Sequence, residues 1–102
     1  MPIKVELLSP QGAVTERLLD PESVLNRTLP NYDDTSFQLL SKVDWYGDTE
    51  FEAAQMALLL QELERIMPGA ANTEQVNYLQ HLMQIAERCR TTPGCKLLFL
   101  GD

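Results

Sequence analysis

The side chains best suited to chemistry in this sequence are one histidine, His81, two cysteines, Cys89 and Cys95, and a concentration of aspartates between residues 31 and 52. A nucleophile needs a base beside it and a group that orients that base. His81 lies between Leu79 and Leu82, no Gly-x-Ser-x-Gly elbow occurs, and neither cysteine carries a catalytic histidine signature. The glycines stand singly at Gly12, Gly47, Gly69, Gly94 and Gly101, so no phosphate-cradling loop is spelled out. Cys89 and Cys95 match neither a zinc spacing nor a C-x-x-C redox pair. Both are expected to be reduced, Cys89 on a buried helix face and Cys95 at the start of a strand.

The aspartates belong to the stretch NYDDTSFQLLSKVDWYGDTEFE, residues 31–52, which holds six carboxylates and a single cation, Lys42. Asp33, Asp34, Asp44 and Asp48 offer oxygen ligands of the kind Ca²⁺ or Mg²⁺ takes, but the alternating spacing of a calcium loop is absent. Turn formation by Asp33 and Asp34, and a helix N-terminus beside Asp48, account for these residues without a metal. The aromatic residues Tyr32, Phe37, Trp45 and Tyr46 stand among the carboxylates. Aromatic side chains anchor protein interfaces, and charge sets association rate and specificity. The stretch therefore reads as a surface for a basic protein partner, formed by Tyr32, Asp33, Asp34, Asp44, Trp45, Tyr46 and Asp48. No catalytic residue, bound metal or cofactor is expected.

The totals fit that reading. Fifteen acidic and eight basic residues give a net charge of −7, of which residues 31–52 carry −5. No basic stripe is available for a phosphate backbone or an anionic membrane, so neither nucleic acid nor membrane is an expected partner. The 102 residues, 44% hydrophobic and 23% charged, are enough for one globular domain over 1–102. No apolar run reaches the roughly 18 residues of a membrane span. The opening MPIKVELLSPQG has one lysine and no apolar signal core, so the expected location is cytoplasmic.

Elements must position these side chains. The runs 3–8 and 13–19 are strand-like and flank Ser-Pro-Gln-Gly, a turn sequence, so an antiparallel hairpin is expected with Ile3, Val5 and Leu7 on one face. Asp20 as N-cap and Pro21 at the first helical position predict a short helix over 20–30. In 36–43, Phe37 and Leu39 alternate as in a strand, whereas Phe37, Leu40 and Val43 fit helical spacing; a third, extended strand is expected. Thr49 and Glu52 have capping-box spacing, predicting a long helix from about Glu50 to Met67 that Pro68 and Gly69 terminate. A second long helix, capped by Asn72 or Thr73, should end near Arg90, with Val76, Leu79, Leu82, Met83, Ala86 and Cys89 on its apolar side. The apolar run from Cys95 is a terminal strand that should pair centrally or beside the first strand. Together these predict an α+β domain in two layers, with an antiparallel sheet of three to four strands packed against two long antiparallel helices.

The segments Asp34-Thr35-Ser36-Phe37 and Val43-Asp44-Trp45-Tyr46-Gly47-Asp48-Thr49-Glu50-Phe51, with Phe99-Leu100-Gly101-Asp102 at the other end, resemble a pattern in small bacterial proteins of uncharacterised function. The resemblance spans roughly residues 30–102 and departs at Glu52, where the pattern has asparagine. In size, acidity and fold type the chain is also similar to immunity proteins of bacterial toxin systems. That similarity implies a non-enzymatic inhibitor that masks a basic effector. The alternatives are an oligomeric accessory protein associating through its helices and an aspartate-centred, metal-dependent enzyme.

Overall fold

The computed structural model describes residues 3–21 and 23–101. Asp102, the last residue of the C-terminal motif, lies outside them. Strands β1 (Lys4–Leu8) and β2 (Val14–Leu18) form the expected hairpin. Its turn closes through Gly12 N–H donating to the Ser9 carbonyl (2.8 Å), and Gly12 takes a φ of 87°, which a side chain would resist. A short helix, α1 (Val24–Thr28), follows. It starts four residues after the expected cap, because Asp20 reaches forward: its two carboxylate oxygens accept from Val24 N–H (2.8 Å) and Leu25 N–H (2.9 Å). Pro21 thus lies in the lead-in turn and not in the helix.

Two expectations about the middle of the chain are corrected. Residues 36–43 are not a strand. They turn, and then form a single-turn 3-10 helix, Leu40–Lys42, which buries Leu39, Leu40 and Val43. The third strand comes later, as β3 (Asp48–Glu52), so Thr49 and Glu52 do not open a helix at Glu50. Phe51 decides this. In extended backbone it faces the core, its ring edge-on to that of Phe99 with centroids 5.6 Å apart. The capping box is shifted by three residues: Glu52 and Gln55 fill it, with Glu52 N–H donating to Gln55 Oε1 (2.8 Å).

Beyond that cap, the 3-10 turn Ala53–Gln55, helix α2 (Met56–Ile66) and the 3-10 turn Met67–Gly69 form one continuous helical rod. Helix α3 (Thr73–Arg90) begins where expected, with Asn72 Oδ1 accepting from Gln75 N–H (2.9 Å). The short connection makes α2 and α3 antiparallel neighbours. Strand β4 (Lys96–Leu100) then enters the middle of the sheet, whose order is β2-β1-β4-β3, antiparallel throughout.

One face of the sheet lies on the helices. Val5, Leu7, Phe51, Leu97 and Phe99 meet Met56, Leu59 and Leu63 of α2 and Leu79, Leu82 and Ile85 of α3 in a single buried cluster. Leu58 packs half-buried at the margin of that cluster, and Leu98 is half-buried because it stands on the opposite face of β4 from the buried Phe99. The architecture is a two-layer α+β domain.

Candidate functional site

The acidic stretch divides at Gly47 into a loop and a strand. The loop is shaped from within by two aspartates. Asp34 Oδ1 accepts from both Ser36 N–H (3.0 Å) and Ser36 Oγ–H (2.6 Å). Those bonds, the hydroxyl first and the amide second, hold the Asp34 carboxyl below its ordinary value. Asp44 Oδ1 accepts from Tyr46 N–H (2.9 Å), and Asp44 N–H donates to Thr49 Oγ1 (2.9 Å). This second turn sends the aromatic pair outward. In an extended segment Trp45 and Tyr46 would face opposite sides, with one in the core. In the turn neither is core: Trp45 is 37% exposed and Tyr46 82%.

The loop is fastened to α2 by two side chains. Glu62 is buried, and its carboxylate accepts from the backbone N–H groups of Gln38 (3.0 Å), Leu39 (3.1 Å) and Leu40 (2.8 Å). A strand would have needed those donors for its ladder, which is why 36–43 does not extend. One turn further along α2, Arg65 Nη1 donates to the Ser36 carbonyl (2.6 Å), and its guanidinium lies 4.1 Å from the centroid of the Phe37 ring. Sequence reasoning missed both as loop anchors. The available signal was Glu62 itself, a carboxylate set among Leu59, Leu63 and Ile66 on the apolar stripe of a helix.

The two glycine-bearing motifs meet behind the loop. Gly101 N–H donates to the Gly47 carbonyl (2.7 Å). A Cβ on Gly101 would stand 2.5 Å from the Asp44 carbonyl oxygen and 2.6 Å from the Trp45 carbonyl carbon, so the C-terminal segment passes directly under the aromatic turn. At Gly47 a Cβ would stand 2.7 Å from Asp44 Oδ2.

On the outside, Pro30, Tyr32, Lys42, Asp44, Trp45 and Tyr46 border a groove of about 610 Å³. A neighbouring hollow of about 360 Å³ is lined by Asp33, Asp34 and Phe37 and shares Tyr32 and Lys42 with the first. Tyr32, 88% exposed, stands between them. Of the residues singled out in the sequence, the structure therefore gathers Tyr32, Asp44, Trp45 and Tyr46 at one groove and Asp33 and Asp34 at the next. Asp48 borders neither. It lies on β3 with Glu50 and Glu52, exposed on the sheet face turned away from the helices.

His81 is exposed on α3. Cys89 and Cys95 are free and buried, and burial, followed by the adjoining Cys95 thiol, pushes Cys89 up to about 12, far from a thiolate at neutral pH. Burial, and then the charge of Asp20, also raises Tyr78. Among the described residues no three His, Cys, Asp or Glu side chains gather as a metal site, and no helix is long and apolar enough to cross a membrane. No protein-family model matches the chain, and no curated protein or solved structure does either.

Proposed function

We propose that the protein is a non-enzymatic binding module for a basic protein, engaged through the groove at Tyr32, Trp45 and Tyr46. The observation that carries this reading is the presentation of three aromatic side chains at one groove by turns that α2 and the C-terminal segment hold in place. An exposed, pre-shaped aromatic anchor lowers the ordering cost of association. Asp44 borders that groove and Asp33 the adjoining hollow, and their negative charge favours and steers a cationic partner. With the resemblance to small bacterial proteins and the likeness to immunity proteins, this makes a cytoplasmic bacterial inhibitor the most economical role. Self-association has a narrower basis, a groove between α2 and α3 where the half-buried Leu60 and Met83 lie.

The test is capture of the partner by the tagged protein, followed by binding kinetics with the purified pair. Replacing Tyr32 and Tyr46 by alanine should weaken binding by at least ~2 kcal/mol, the size of a hot-spot loss. Asp33→Asn should lower the association rate and its salt dependence. A partner bound equally well by the folded double tyrosine variant would place the site elsewhere.

A further inference from the structure

Strand β3 is an edge of the sheet, and the hydrogen bonds at its two ends fix which backbone groups are free. Gly101 N–H donates to the Gly47 carbonyl, and Ala53 N–H donates to the Cys95 carbonyl (3.1 Å). In an antiparallel pair, hydrogen-bonded and non-hydrogen-bonded positions alternate. With Asp48 opposite Leu100 and Glu52 opposite Lys96, it is Thr49 and Phe51 that bond to β4. Asp48, Glu50 and Glu52 turn their N–H and C=O groups away from the sheet. Gln55 Oε1 occupies the N–H of Glu52. Among the described residues, nothing occupies the N–H or C=O groups of Asp48 and Glu50 on that side. Two consecutive donor–acceptor sets are thus ready to receive another strand.

The side chains decide what that strand must be. Asp48, Glu50 and Glu52 lie in a row on the outer face, spaced by two residues. Lys96 of β4 reaches Glu50 at 3.6 Å, and among the described residues Asp48 and Glu52 have no ion-pair partner. A second copy of the chain is a poor occupant. Antiparallel pairing of two β3 strands about Glu50 would set Glu50 against Glu50 and Asp48 against Glu52, a repulsive register. The other edge strand, β2, offers Arg17, and that guanidinium already bonds Glu6 at 2.8 Å. Resting on the basic-partner reading above, we propose that β3 captures an extended segment of the partner as a fifth, antiparallel strand. That segment carries lysine or arginine at alternate positions, facing Asp48, Glu50 and Glu52, with small or apolar residues between. Backbone hydrogen bonds supply the attachment, and the cationic alternation supplies the selectivity.

The probe is a short peptide alternating lysine with valine or threonine, observed by amide hydrogen exchange of the intact protein at low salt. Saturating peptide should slow exchange at Asp48 and Glu50 by about tenfold, with smaller changes at Thr49 and Phe51, whose amides already bond β4. In the paired register the lysine amides point at β3. N-methylation of those amides keeps the charge and should weaken binding about tenfold, the loss of one to two hydrogen bonds. N-methylation of the intervening amides should change little. No slowing at Asp48 and Glu50, or equal binding of the lysine-methylated peptide, overturns strand addition and leaves the basic-partner reading standing. Equal binding of a peptide with glutamate in place of lysine overturns the basic-partner reading itself.

Discussion

Residues 31–47 and residues 48–52 are adjacent and hold three carboxylates each, yet those carboxylates do different physical work. In the loop, Asp34 and Asp44 are bonded to the backbone two residues on, and their charge is directed inward at N–H groups. On β3 the backbone is held by β4, so Asp48 and Glu50 are not needed for shape and their charge is directed outward, while Glu52 also caps the helical rod that follows. A count of acidic residues cannot separate these cases. What separates them is whether the local backbone has another way to satisfy its donors. A strand does, through its neighbour. A turn does not, and recruits its own side chains.

Glu62 is the extreme of the first kind, and its loss should produce the largest effect. It is buried and serves three backbone donors, of which those of Leu39 and Leu40 are inside the core. Glu62→Ala leaves them without an acceptor and opens a void under the loop, for an expected loss of about 3–5 kcal/mol. Denaturant unfolding measures this. A loss below about 1 kcal/mol would mean that the loop is held by the burial of Leu39, Leu40 and Val43 alone. Glu62→Gln, which keeps one carbonyl acceptor, should fall between.

Gly101→Ala should come next. The added methyl would meet backbone atoms of Asp44 and Trp45, which cannot turn aside as a side chain can. The strain is expected to cost about 1–3 kcal/mol and to shift the loop. Trp45 is the only tryptophan, so its fluorescence reports the shift directly. Unchanged emission with unchanged stability would show that the C-terminal segment does not support the aromatic turn.

The legibility of the sequence followed the same division. The hairpin, the Asn72 cap, α3 and the apolar β4 were readable because each is specified locally, by turn residues, a cap or a periodic stripe. Residues 36–52 were misread because their conformation is set from a distance. Glu62, more than twenty residues downstream, takes the donors that would have made 36–43 a strand. Phe51 packs on Phe99, nearly fifty residues away, which keeps 48–52 extended although Thr49 and Glu52 have capping-box spacing. The candidate site residues were recognisable by type, but their grouping was not. The separation of Asp48 from the groove depends on where the strand begins.

The smallest effects, and the sharpest contrast, belong to the neighbours Asp33 and Asp34. Asp34 is tied to Ser36 by two hydrogen bonds, whereas Asp33 is exposed and makes none through its side chain among the described residues. The bonds favour the ionised form of Asp34, so its folded pKa lies below the ordinary 3.8. A lowered carboxyl pKa stabilises the fold above the ordinary value, and that contribution disappears as the pH falls through the folded value. Titration of the Asp34 side-chain carbon by NMR should therefore have its midpoint below 3.8. Ser36→Ala removes the larger of the two causes and should move the midpoint upward, while the Ser36 amide, still present as Ala, keeps part of the shift. Asp34→Ala should lower the melting temperature slightly at pH 7 and by less at acid pH, as the wild-type carboxyl takes up its proton. Asp33→Asn should leave the melting temperature unchanged at both and act only on the association rate. If Asp33→Asn destabilised the fold as Asp34→Ala does, both carboxylates would be structural. The negative field around the groove would then be a consequence of loop building.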